Sequence, residues 1–189
     1  MPRHIDPDLE ARIVKSARKL WAKGGEKALS MRSIAALAQT NTPAVYRRFR
    51  NRDAILRALV ESYQRELFEA VEPCRSLEEV AECVLNFALR HPREYELMMS
   101  GLLAKMTKSR PNLEFVVGKS AKWLGGSLEE HRVLVLTLWS LIHGTIMLTI
   151  SGTLPKHDVS KAQAAFKRTV TVLVENREKL RHAALETTA

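Results

Sequence analysis

An all-α fold of about nine helices is predicted by three observations on the sequence. Apolar residues recur at three- and four-residue spacing over long stretches, most of them free of glycine and proline, which number only 8 and 7 in 189 residues. Serine, asparagine and aspartate stand where those stretches begin, as helix caps do. The composition, 46% hydrophobic and 27% charged, is that of a globular chain, and a chain this long buries about 70% of its unfolded surface.

The elements follow in order. Asp6 and Pro7 read as an N-cap and a first-turn proline; Leu9, Ile13, Ala17, Leu20 and Trp21 then share one face until Gly24-Gly25 stops the helix. Ser30 caps a short second helix that turns Ile34, Leu37 and Ala38 inward. Gln39-Thr40-Asn41 form a turn, and Asn41 or Thr42 caps a third helix with Val45, Tyr46 and Phe49. Two short helices across a tight turn make a helix-turn-helix. A fourth helix from near Asp53 to Pro73 is long enough to be a rigid connector. Ser76 and Glu79 form a capping box for a fifth helix, ended by His91-Pro92. A sixth runs through Tyr95, Leu97, Met98 and Leu102, and a seventh from Leu113 to Leu124. Ser127 and Glu130 repeat the box before a helix at 128–150, and a last helix at 159–182, opening near Asp158, carries Ala162, Phe166, Val170, Leu173 and Val174 on one face. The tail after Leu185 is expected to fray.

The net charge of +9 points to a partner only where it is concentrated, and residues 32–57 hold six Lys+Arg against one acid. A recognition helix needs small or hydrogen-bonding residues at its start and cations at its edges. Residues 41–48 meet that need. Thr42, Pro43 and Ala44 permit close approach to a groove, and Tyr46 can give its hydroxyl to a phosphate. Arg48, on the side of Ala44, reaches a base edge or the backbone. Arg32, at the start of the second helix, suits a bidentate contact to guanine. Arg52 is expected to hold the DNA backbone beside the N-terminus of the fourth helix. The competing account of such arginines is a solvated surface; Val45 and Phe49 as an inward i, i+4 pair place the cations on the outside of a packed unit in either case.

Residues 133–150 contain 18 positions without an acid, lysine or arginine, the length of a membrane span. His143, Ser140 and several threonines make it a mediocre lipid helix, and burial on every side of a soluble assembly accounts for it equally. A two-fold dimer, each subunit giving the helices near 128–150 and 159–182 to a four-helix bundle, provides that burial and spaces two heads for successive major grooves, roughly 34 Å apart. Cys74 and Cys83 lack metal-ligand spacing and read as buried thiols. The opening MPRHIDPDLEARIV has no apolar signal core, so a cytoplasmic location is expected. No nucleophile elbow, HExxH, P-loop or dinucleotide fingerprint is present, and no enzyme activity, cofactor or metal is expected. A membrane-associated helical module and a non-specific nucleic-acid binder remain as alternatives.

Residues 9–60 resemble the DNA-binding domain of the TetR family of bacterial transcriptional regulators. The resemblance rests on ALSMRSIAALAQTNTPAVYRRFRNRDAIL, where Ile34-Ala35, Ala38, Val45-Tyr46, Phe49, Asn51-Arg52 and Leu56 fall as that family has them. It departs at Gln39, where glycine is common, and at Thr40, where an apolar residue is usual. Further on, LWSLIHG at 138–144 is similar to a Trp-x-x-x-His-Gly segment of the family's ligand domain. The resemblance implies a homodimer that represses transcription until a small molecule enters its C-terminal domain. It implies a DNA-binding domain at 1–52, a ligand-binding and dimerisation domain at 53–189, and DNA contacts at Arg32, Thr42, Pro43, Ala44, Tyr46, Arg48 and Arg52. It also favours a pocket for an apolar or aromatic effector, lined by Phe87, Tyr95, Met98, Met99, Leu102, Phe115, Trp123, Trp139 and His143. By residue type alone these form a filled core equally well.

Overall fold

The computed structural model describes residues 6–101 and 111–179. Leu102, residues 180–182 of the last expected helix and the tail after Leu185 lie outside them. Among the described residues all regular structure is helical: α1 (Leu9–Ala28), α2 (Met31–Leu37), α3 (Thr42–Arg48), α4 (Arg52–Val71), α5 (Leu77–Arg90), α6 (Pro92–Met99), α7 (Pro111–Leu124), α8 (Leu128–Ile150) and α9 (Lys156–Glu175). They fall into two compact units. The first reaches Arg65 and takes in the segment beginning at Arg93; the second holds Glu66–Pro92 and, among the described residues, everything from Pro111 onward. Helix α4 runs unbroken through the boundary.

In the first unit α2 packs between α1 and α3, around Ile13, Ala17, Ile34, Val45, Ile55 and Leu59, all fully or almost fully buried. Two starts and stops differ from the sequence reading. α1 begins at Leu9 because Asp6 caps the preceding turn, its Oδ1 accepting the Asp8 N–H at 3.0 Å. The same carboxyl pairs with Arg12 at 2.7 Å, and that hydrogen bond holds it below the usual carboxylate range. Gly24-Gly25 does not end α1. Gly25 bends it, at φ 56° and ψ −138°, and the helix resumes to Ala28. The carbonyls freed at the bend find a donor: the Arg93 guanidinium, on α6, reaches those of Ala22 and Lys23, while Trp21 Nε1 donates to Arg93 O at 3.0 Å.

In the second unit α8 is the central helix, packed on α5, α7 and α9. Leu134, Val135, Leu138, Ile142 and Ile146 line its inner side and Phe166, Val170 and Val174 that of α9. The Ser127–Glu130 box closes in both directions, at 3.4 and 3.1 Å. At α5 only half of the expected box forms. Ser76 Oγ accepts from Glu79 N, but the Glu79 carboxylate takes the Arg75 N–H at 2.7 Å instead of that of Ser76. α9 starts at Lys156, after Pro155, so Asp158 sits in its first turn and pairs with Lys161 at 3.0 Å.

The outer side of α8 is also apolar. Leu136, Trp139 and Leu148 are 38%, 37% and 45% exposed, and only 28% of its most apolar 18-residue window, of mean hydropathy 2.0, is buried. On α9 Val172 is exposed as well.

Candidate DNA-binding surface

The helix-turn-helix is held in shape by local hydrogen bonds that its sequence dictates. Ser30 and Ser33 cap α2 reciprocally, each backbone N–H donating to the other's hydroxyl at 3.0 Å. The Ser33 hydroxyl also reaches Ala28 O at 2.9 Å. At the far end Thr40 N–H returns to Ala35 O at 2.9 Å and Gln39 N–H to Ala36 O at 3.3 Å. These are the two bonds of a Schellman turn. Such a turn requires a left-handed residue after the cap. Gln39 occupies that place at φ 53°, among the described residues the one non-glycine residue with positive φ. Asn41 then caps α3, its Oδ1 accepting the Ala44 N–H at 2.9 Å, and Pro43 occupies a first-turn position where no donor is needed. Phe49 leaves the helix in an extended conformation, and Asn51 caps α4 by accepting from Ala54 at 2.9 Å.

These constraints sort the side chains of α3. Val45 and Phe49 point inward; Pro43, Arg47, Arg48 and Arg50 are exposed, Thr42 is half-buried, and Tyr46 is 52% exposed. Arg32 is exposed on α2. The open phenol is followed directly by Arg47 and Arg48. Arg48 keeps a fixed direction, since its Nη2 donates to Asp6 O at 3.0 Å.

Two expected contacts are placed differently. Ala44 is 4% exposed, so its methyl is part of the core instead of lying open to a groove. The guanidinium of Arg52 turns back into the protein. It donates through Nε to Leu29 O at 3.1 Å, through Nη1 to Glu26 Oε1 at 2.8 Å and through Nη2 to Glu26 O at 2.8 Å. It thereby ties the first turn of α4 to the end of α1, replacing α1's missing hydrogen-bond donors. Arg47, which was not among the expected contacts, is also exposed on α3. Nothing in the charge count distinguishes it from Arg48, whose guanidinium is the one of the two that donates to Asp6 O.

The residues expected around an effector are divided between the units. Tyr95, Met98 and Met99 belong to the first; Phe87, Phe115, Trp123, Trp139 and His143 to the second. Phe87, Tyr95 and Met98 are buried, while Met99, Phe115, Trp123 and His143 are half-exposed and Trp139 faces outward. Burial also pushes the Tyr95 hydroxyl well above the ordinary phenol range.

A comparison with curated protein sequences gives no significant match. The structure resembles several solved ones. A TetR variant from Acinetobacter baumannii AYE in complex with minocycline superimposes with TM-score 0.68 at 19% identity, covering 94% of this chain and 99% of that one. A protein of unknown function from Rhodococcus sp. RHA1 gives 0.69 at 23% identity, covering 89% and 95%. The multidrug binding protein EbrR complexed with ethidium gives 0.57 at 22% identity, covering 86% and 98%. These likenesses establish the fold. The family model described as bacterial regulatory proteins, tetR family, matches residues 13–59, and the one described as tetracyclin repressor-like, C-terminal domain, matches residues 77–173. With a helix-turn-helix at one end and that C-terminal domain at the other, the chain belongs to the TetR family of bacterial regulatory proteins.

Proposed function

We propose that the chain is a dimeric, cytoplasmic repressor that binds an approximately palindromic operator and releases it when a small apolar or aromatic effector binds its C-terminal domain. The observation that carries the DNA half is the open outer side of α3, a helix with no acid of its own, with Pro43, Tyr46, Arg47 and Arg48 exposed beyond a capped turn. In this reading Thr42 and Pro43 approach base edges, Tyr46, Arg47 and Arg48 hold phosphates, and Arg32 reads a guanine from α2. Arg52 is a positioning residue, acting through Glu26 and Leu29 on the angle at which α4 leaves the motif. The DNA-binding domain is residues 1–52, functionally, although the compact unit extends further.

The dimer half is supported by the exposed apolar residues Leu136, Trp139 and Leu148 of α8 and Val172 of α9. A second subunit covering them accounts for a helix that is apolar on both sides. The membrane alternative draws on the same helix, the one among the described residues long and apolar enough to span a bilayer. Family membership favours the dimer. Minocycline and ethidium are bound by the proteins named above, and they support a drug-sized effector here only by analogy.

Titrating operator and random duplex over a range of salt concentrations tests the interface. Tyr46→Ala should weaken binding to both DNAs alike, by about tenfold, whereas Arg32→Ala should relax preference at one or two base pairs by roughly 1–3 kcal/mol. Unchanged affinity and selectivity in both variants contradict the assigned surface.

A further inference from the structure

The second unit gathers half-exposed aromatic rings around one lysine. Lys119, on α7, holds its ammonium 5.2 Å from the ring centroid of Phe115 and 5.2 Å from that of Trp123. Phe115 in turn leans on Phe68, with centroids 4.5 Å apart. The same ammonium donates to the carbonyl oxygens of Glu72 and Cys74, the latter at 2.9 Å. Both carbonyls lie just past Val71, at the negative end of the 20-residue α4. The contacts are ring faces on one side and main-chain carbonyls on the other.

Ring quadrupoles and oriented carbonyls recognise weakly hydrated positive charge best. A lysine ammonium is compact, strongly hydrated and carried on a flexible four-carbon stem, so it matches such surroundings less well than a broad organic cation does. Lys119 is only half-buried, so it can return to water without finding a new internal partner.

We propose that Lys119 is a tethered substitute for the effector's charge, and that the effector is an aromatic organic cation which takes the Phe115 and Trp123 faces and the Glu72 and Cys74 carbonyls as Lys119 swings out. This rests on the reading of the C-terminal domain as the effector-binding domain, and adds the charge of the ligand. The exchange changes what caps the end of α4, the helix whose first residue, Arg52, is clamped to α1.

Tetraphenylphosphonium is the probe and triphenylphosphine oxide the neutral control, both followed by calorimetry. Lys119→Met removes the competing charge and keeps the stem. It should bind the phosphonium about tenfold more tightly, the factor that two exposed cation–ring contacts amount to, with no gain for the neutral compound. Lys119→Arg, which keeps a cation in place, should bind it no more tightly than the natural chain, and Trp123→Leu should weaken binding about tenfold. Equal gains for both probes, or phosphonium binding indifferent to Lys119→Met, overturn the proposal. Should Lys119→Met fail to fold, phosphonium binding unaffected by Trp123→Leu overturns it instead. Operator binding is measured on the same preparations. Selective operator binding with phosphonium uptake independent of Lys119 and Trp123 sinks this inference alone; absence of any operator preference sinks the repressor reading and leaves the calorimetry to be judged separately.

Discussion

Gln39 sits in the left-handed region, at φ 53°, where a side chain on Cβ costs roughly 1–2 kcal/mol and glycine costs little. Gln39→Gly removes that strain and returns part of the gain as unfolded-chain entropy. The expected net stabilisation is roughly 0.5–1 kcal/mol, read as a higher melting temperature, and Gln39→Val should lower it. A lower melting temperature for the glycine variant contradicts the strained turn. Cys83 offers a second residue-scale check. Burial, with Cys74 beside it, pushes its thiol up to about 11. The fold thus favours the protonated form; the stability this contributes is complete below the ordinary thiol pKa and is lost as pH rises towards 11. At pH 8 the folded chain should react with iodoacetamide far more slowly than the unfolded chain, having roughly a hundredfold less Cys83 thiolate; equal rates contradict the burial. At this scale the caps were legible because Ser30, Asn41 and Ser127 act on neighbours three residues away. Ala44 was not, since a methyl suits a groove and a core equally. Nor was the direction of Arg52, whose partners lie 23 and 26 residues back.

Among the elements, α8 carries the most consequential surface. Its inner stripe is covered by α5, α7 and α9, whereas Trp139 and Leu136 on the outer side stay 37% and 38% exposed. If a second subunit covers them, Trp139→Glu sets two carboxylates in an apolar interface, and sedimentation equilibrium should show dimerisation weakened roughly a hundredfold, with operator affinity falling alongside. A variant that remains dimeric places the interface elsewhere. The extent of α8 could be read from its unbroken apolar run, as could that of α4 from its periodicity. The bend in α1 could not. Whether a Gly-Gly pair ends a helix or only kinks it depends here on Arg93, about 70 residues away, supplying donors to Ala22 and Lys23. A local pattern carries no information about so distant a partner.

For the molecule as a whole, the sequence made the all-helical class and the DNA-binding motif legible, because amphipathic periodicity and capping are written locally. The grouping of α6 with the N-terminal helices, and the division of the expected pocket residues between two units, depend on long-range packing and were not legible. In the proposed dimer two copies present α3 to successive major grooves. Selection from a random duplex pool with the purified chain tests it most directly. The expected result is enrichment of one approximately palindromic site, its half-sites about one helical turn or a small multiple apart, preferred by roughly 10³-fold or more over random duplex at fixed salt. A pool that stays random, or a bound site without two-fold symmetry, contradicts it.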